Sequence, residues 1–285
     1  MTTASGLKPE AGGAAASVLR RCAANVAAGI AMLARPARIH PRQLWPLAPQ
    51  QLAIAAAVVV AVFVVGMMFF DAAAINAVAH LPRWLIWFFD EITDFGKSGW
   101  FLWPLGILFL VLATLPLSLS RVSQLVLAAV MVRVGFLFVA IGAPSLFVTI
   151  VKRMIGRARP LVTGVADPYV FDPFVWRVAY ASLPSGHATT AFAALVAFGS
   201  LWPRSRTILL VYALLIAASR VAVTAHYPTD VLAGALVGVV GALTVRRYFA
   251  LRRLGFTVRS DGTLQQFPDP SLRRIKSVAR ELLTE

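Results

Sequence analysis

Three short stretches of the chain carry side chains suited to handling a phosphate. The first, KRMIGRARP over 152–160, places Lys152, Arg153, Arg157 and Arg159 within eight residues and no acid among them. Such a segment repels itself unless an anion is near. Arginine forks match phosphate oxygens two at a time, and lysine adds a point charge. At this spacing Lys152 and Arg159 share a face for as long as a helix lasts, which Pro160 discourages. The plain alternative is a basic loop that only sets orientation in a membrane. The second stretch is LPSGHATTAF, 183–192. Pro184 suits a first helical position, and Ser185 and Gly186 are small residues whose amides would point out of a helix N-terminus, where an anion is favoured. His187 follows in the first turn; alone it reads as a cap. The third is SRVAVTAHYPTD, 219–230. Arg220 ends an apolar run, where a cation is costly unless it snorkels or meets an anion. Asp230 comes four residues after His226, and a helix starting at Pro228 leaves its carboxylate free to fold back onto the imidazole. A His–Asp pair fixes the tautomer and raises the basicity of the ring. Alone, the pair reads equally well as a salt-bridged loop closure.

Taken together, the three stretches supply two histidines, cations, a serine, a helix-start amide turn and an aspartate. That is equipment for phosphoryl transfer, in which positioned charge offsets the charge developing on the phosphoryl oxygens. Two histidines without an Asp, Glu or Cys cluster make a poor Mg²⁺ or Zn²⁺ site. No metal and no cofactor are therefore expected, with the cations standing in for a metal.

The elements that must position these residues are transmembrane helices. The chain has 285 residues, 59% of them hydrophobic and 14% charged, with mean hydropathy +0.77. A soluble domain carries about 25% charged residues, so neither a soluble globule nor a disordered chain fits. A spanning helix needs about 20 apolar residues, and six runs qualify: 51–70, 98–119, 122–150, 184–202, 207–223 and 228–249. The expected fold is all-α, a polytopic six-span bundle. Between spans 1 and 2, LPRWLIWFF gathers aromatic residues that favour the headgroup level. It predicts a helix lying in the outer interface, either as a plain anchor or as a lipid-access wall. The formal net charge of +15 suits anionic lipid rather than nucleic acid in this setting. With both termini inside, 18 basic residues flank the spans on the inner side against 7 outside. This asymmetry predicts cytoplasmic termini and puts all three stretches at the opposite face. Residues 1–50 read as a basic tail with a surface helix or a loose end, 51–249 as the membrane domain, and 250–285 as a basic tail with one amphipathic helix. Arg133, inside the third span, is expected to snorkel or pair within the bundle. Cys22 is the lone cysteine, so no internal disulfide forms.

The pattern Lys152-x6-Arg159-Pro160, then Pro184-Ser185-Gly186-His187, then Ser219-Arg220-x5-His226-x3-Asp230 resembles the three-part signature of the type-2 phosphatidic acid phosphatase superfamily. Every motif position is matched. The resemblance implies a metal-independent phosphatase that works through a phosphohistidine. By that likeness His226 attacks phosphorus, oriented by Asp230, and His187 protonates the leaving oxygen and later activates water. Lys152, Arg159, Ser185, Gly186 and Arg220 would hold the phosphate. Arg153 and Arg157 lie outside the motif and are left as supporting charge or headgroup contacts. The segment 91–104, EITDFGKSGWFLWP, is similar to a stretch found in bacterial members.

The leading expectation is thus a lipid phosphate or diphosphate phosphatase of a bacterial inner membrane, acting at the periplasmic face. Phosphatidylglycerophosphate, phosphatidic acid, undecaprenyl diphosphate and lipid A remain open as substrates, and so does the oligomeric state. A lipid-to-lipid phosphotransferase would need the same residues. Vanadium haloperoxidases share the signature but are soluble. A lipid or anion transporter would have no need of two histidines acting as a pair.

Overall fold

The computed structural model describes residues 11–39, 48–115 and 119–284, so the remainder of the expected N-terminal tail, with Lys8 and Arg42, lies outside the described residues. The six runs picked out by hydropathy all fall on helices, with residues 116–118 of the second outside the described residues. The first is α2 (Pro49–Val65), which continues through a π turn (Gly66–Phe70) into α3 (Asp71–Val78). Then come α4 (Arg83–Thr93) and α5 (Gly99–Thr114), α6 (Arg121–Ile155), α7 (Gly186–Leu201), α8 (Arg206–Ala222) and α9 (Pro228–Leu251).

Small residues decide the packing. At 16 residues, α7 is about 24 Å long, as short as α5, and it sits among α6, α8 and α9. Ala188, Ala191, Ala193, Ala194 and Ala197 are fully buried. Without a hydrophobic drive between helices in lipid, close backbone approach is what holds spans together. Gly234 and Gly238 of α9 make that approach: a Cβ on either would come 2.3 Å from the Ser185 carbonyl or 2.4 Å from that of Thr189. The same contact sets the register of α7 on α9 and so brings Ser185 beside Asp230.

Between the first two expected spans lies α4, the aromatic helix expected there, with Trp84 and Trp87 exposed. It runs on through a 3-10 turn (Asp94–Gly96) towards α5. Two features were not legible from hydropathy. One is α1 (Ala11–Ala34), a single helix despite Arg20 and Arg21, whose residues 16–34 are themselves apolar and long enough to cross a membrane. It is tied to the C-terminal ends of α5 and α9, where Asn25 donates to the Ala113 carbonyl at 2.6 Å and Tyr248 donates to that of Leu33 at 2.6 Å.

The other is the C-terminal segment. Strands β1 (Phe256–Val258) and β2 (Leu264–Gln266) pair antiparallel, with Phe256 opposite Gln266, an addition to an otherwise helical fold. The expected amphipathic helix follows as α10 (Leu272–Thr284). Phe256 is buried edge-on against Phe136 at 4.8 Å, within the main core. Glu281 accepts from the hydroxyl and the amide of Ser120 and from the Ser123 hydroxyl. Arg133 pairs with Asp269 at 2.8 Å and donates to the carbonyls of Phe267 and Pro268. Counted back from Lys152, about 30 Å of helix, one hydrocarbon thickness, ends near Arg133. Its charge is therefore met by the C-terminal segment at the far boundary.

Candidate active site

All three motif stretches meet at one end of the bundle. The route by which the chain brings them together differs from the spacing argument in two places. First, α6 ends before Arg159. Gly156 caps it in the left-handed conformation (φ 66°), its amide bonded to the Lys152 carbonyl. A Cβ there would fall 1.8 Å from the Asp172 carbonyl oxygen, so only glycine fits. Lys152 is thus on the helix and Arg159 on the loop beyond it, not on one helical face, yet the two remain electrostatic neighbours. Second, Arg157 is no headgroup contact. It is wholly buried: Nε donates to Pro168 O at 3.0 Å, Nη1 to Asp230 Oδ1 at 2.6 Å and to Thr229 at 2.8 Å, and Nη2 to Asp71 Oδ2 at 2.7 Å. Tyr227 covers the guanidinium, its ring centre 4.5 Å away. Arg153, by contrast, turns out of the site to Trp176, donating to its carbonyl at 2.7 Å.

Helix α9 begins at Pro228, which puts Asp230 in its first turn. Oδ2 of Asp230 accepts the Tyr227 amide at 2.9 Å and the Ser182 hydroxyl at 2.5 Å, and lies 3.8 Å from His226 Nδ1. Ser182 Oγ is also 3.4 Å from that nitrogen and bridges the two groups. With Nδ1 turned to the carboxylate and hydroxyl, Nε2 is the nitrogen left to act. His226 is 3% exposed. Burial holds its imidazolium below the ordinary histidine range, with the nearby Asp230 carboxylate pulling the other way and the Arg220 and Arg159 charges adding to the depression. That direction favours the neutral ring, the form a nucleophile requires.

Ser185 departs from the helix-start argument. Its amide is already taken by the Asp230 carbonyl at 2.9 Å, whereas its buried hydroxyl has no partner. Nothing lies within 4 Å of where a Cβ on Gly186 would be, so the site is open above that residue. Among the described residues, also buried without a partner are Nε of Arg159 and of Arg220 and, outside the motif positions, Nε of Arg246 and the Tyr227 hydroxyl. Buried polar groups in folded proteins are nearly always paired, so three orphans on three motif residues mark a place built for an acceptor. Arg220 is aimed by Nη1, which donates to Thr93 Oγ1 at 2.5 Å, and the Ser219 hydroxyl donates to the same oxygen at 3.0 Å. Burial and the neighbouring Arg153 press the Arg159 guanidinium below its ordinary range, with Asp230 pulling the other way. His187 lies within electrostatic range of His226 and Arg220. A Cβ on Gly96 would come 2.9 Å from its ring.

The sequence reading missed Asp71, Thr93, Ser182 and Thr229. Asp71 carried one signal, a single carboxylate straight after a long apolar run. Thr93 and Gly96 account for part of the 91–104 segment: one aims Arg220 and the other leaves room for His187. Among the described residues no three His, Cys, Asp or Glu side chains group as metal ligands.

The arrangement is a neutral histidine held by a carboxylate, facing cations with spare donors, at the end of a helix bundle long and apolar enough to cross a membrane. Comparison with known proteins agrees with that chemistry. Residues 133–254 match the model of the PAP2 superfamily. Lipid A 1-phosphatase of Rhizobium johnstonii is 33% identical over 177 residues, 61% of this chain and 71% of that one. The protein of the same name from Rhizobium etli is 34% identical over 185 residues, 63% of this chain and 79% of its own. A crystal structure of Aquifex aeolicus LpxE aligns with 61% of this chain and 93% of its own, at 23% identity and TM-score 0.45. On the family match and the extent of the Rhizobium relatives, the chain belongs to the PAP2 superfamily and is a membrane phosphatase.

Proposed function

We propose that the protein hydrolyses a phosphomonoester or diphosphate on a membrane lipid through a phosphohistidine, without a metal. The observation that carries this reading is the set of three unpartnered buried donors, on Arg159, Ser185 and Arg220, beside the neutral His226. The phosphoryl group is held by these donors with Lys152 and the open backbone at Gly186. His226 Nε2 attacks phosphorus, and the bond to the leaving oxygen breaks as His187 gives that oxygen a proton. Asp230 stabilises the charge that develops on the His226 ring. Water, deprotonated by His187, then attacks phosphorus, the bond to Nε2 breaks, and inorganic phosphate leaves. The cations lower a barrier that is among the highest of any uncatalysed biological hydrolysis.

The basic residues flanking the spans favour cytoplasmic termini and a site at the periplasmic face of an inner membrane. There a headgroup reaches the site while its acyl chains stay in the bilayer, alongside exposed Trp84 and Trp87 of α4. The names of the two Rhizobium relatives make the 1-phosphate of lipid A the first substrate to try. The test is phosphate release by the purified protein in detergent from lipid A, phosphatidic acid, phosphatidylglycerophosphate and undecaprenyl diphosphate. Release from at least one, lost in His226→Ala, is expected; no release from any overturns the reading. Phosphate recovered on a second lipid rather than in water would reassign the protein as a phosphotransferase with the same site.

A further inference from the structure

The family motif ends at Asp230, but the charge balance around that residue does not. Asp230 shares Arg157 with Asp71: Nη1 of the arginine meets Asp230 Oδ1 at 2.6 Å, and Nη2 meets Asp71 Oδ2 at 2.7 Å. All three side chains are fully buried. Asp71 also accepts the Thr229 amide at 3.0 Å and the Thr229 hydroxyl at 2.5 Å, clamping the residue next to Asp230. It reaches this place because the π turn over Gly66–Phe70 shifts the phase of the span just before it. Gly66 lets that turn lie against α9, where a Cβ would meet the Thr229 methyl at 2.7 Å.

Were Arg157 and Asp230 alone, their charges would cancel, and the carboxylate would have little left for a ring that turns cationic as it bonds to phosphorus. With Asp71 present the cluster holds two carboxylates and one guanidinium, so one negative charge is uncompensated. Its outlet is Asp230 Oδ2, the oxygen facing His226. We propose that Asp71 is a positioning residue for the histidine nucleophile, offsetting Arg157 so that Asp230 remains available to the charge developing on His226. The inference rests on the phosphohistidine reading above. It concerns a residue outside the three motif stretches, directly after the first of the expected spans.

The test compares Asp71→Asn, the double variant Asp71→Asn with Arg157→Gln, and His226→Ala, each purified in detergent with its thermal midpoint recorded. Turnover of a lipid phosphate and inhibition by orthovanadate, a mimic of the phosphoryl group in transit, are measured. Asp71→Asn should lower kcat by about 30-fold or more with KM changed by less than about threefold, the pattern of an interaction made only in the transition state. Vanadate inhibition should weaken in parallel. The double variant restores one uncompensated negative charge and should recover kcat by about tenfold over Asp71→Asn. A merely structural role for Asp71 predicts the reverse, a double variant worse than the single. Unchanged kcat and vanadate inhibition in Asp71→Asn overturns the proposal. If Asp71→Asn yields no folded protein, the double variant decides alone: turnover above about 1% of the parent supports the proposal, and a folded but inactive double variant overturns it. Turnover persisting in His226→Ala would remove the phosphohistidine reading and this inference with it. An inactive His226→Ala beside a fully active Asp71→Asn would sink this inference alone.

Discussion

Arg157 and Arg159 are two residues apart and end in opposite conditions. Every donor-bearing nitrogen of Arg157 has an acceptor, on Asp71, Thr229, Asp230 or Pro168. Arg159 keeps a buried Nε without one, as does Arg220 across the site. The layer around Arg157 is closed: it spends its charge inside the protein and locks α3, the loop after α6 and the start of α9 together. The layer around Arg159 and Arg220 is open and waits for an acceptor. The difference teaches that a run of basic residues in a loop is not one functional unit. The closed layer sets geometry, and the open layer keeps donors to spare.

Several substitutions would break or sharpen that contrast. The largest effect is expected for His226→Ala, the nucleophile proposed above. Phosphate release should fall by about 10³ or more while the protein stays inserted in the membrane; near-normal turnover would remove His226 from its role. Next come Arg159→Ala and Arg220→Ala, each expected to cost about 10²–10³ in kcat/KM with a nearly unchanged thermal midpoint. Arg157→Leu should behave in the opposite way. It strands two buried carboxylates, a loss of about 3–5 kcal/mol seen as poor recovery or a lowered midpoint in detergent. If Arg157→Leu were stable and only slow, or Arg159→Ala unstable, the division between closed and open layers would fail.

A smaller effect concerns pH. The proposed nucleophile is the neutral His226 ring, and burial lowers its pKa. The acidic limb of kcat/KM should therefore lie below the ordinary histidine value of about 6.5. Asp230→Asn removes the carboxylate that favours the charged ring, so the limb should move further to acid while the rate at the plateau drops. A shift towards neutral pH would contradict the assignment. Activity should also survive excess EDTA; loss reversed by Mg²⁺ would point to a metal. The smallest effect belongs to the far end of the bundle. Arg133→Ala breaks a pair whose Asp269 partner is half exposed, so it should cost at most about 1 kcal/mol and leave turnover within about twofold.

Much of this was legible in the residue order. Hydropathy and length placed the six runs that become α2 and α5 to α9, because a bilayer admits few other solutions. The motif stretches were readable because phosphate chemistry demands particular side chains at short spacing. Misreadings arose where the chain turned: Gly156 stops α6 before Arg159, and the Ser185 amide is spent on the Asp230 carbonyl. Neither event has a periodic signature.

What the amino-acid order determined by itself was which stretches hold side chains suited to phosphate and that these stretches fall at helix ends, since both follow from local composition and hydropathy. Tertiary structure alone decided which cation is spent and which is spare. It did so by carrying Asp71 across 86 residues to Arg157 and Thr93 across 127 to Arg220. Low dielectric makes every unpaired buried charge costly, so the partner's position in space, not the residue's place in the chain, settles what each arginine can do.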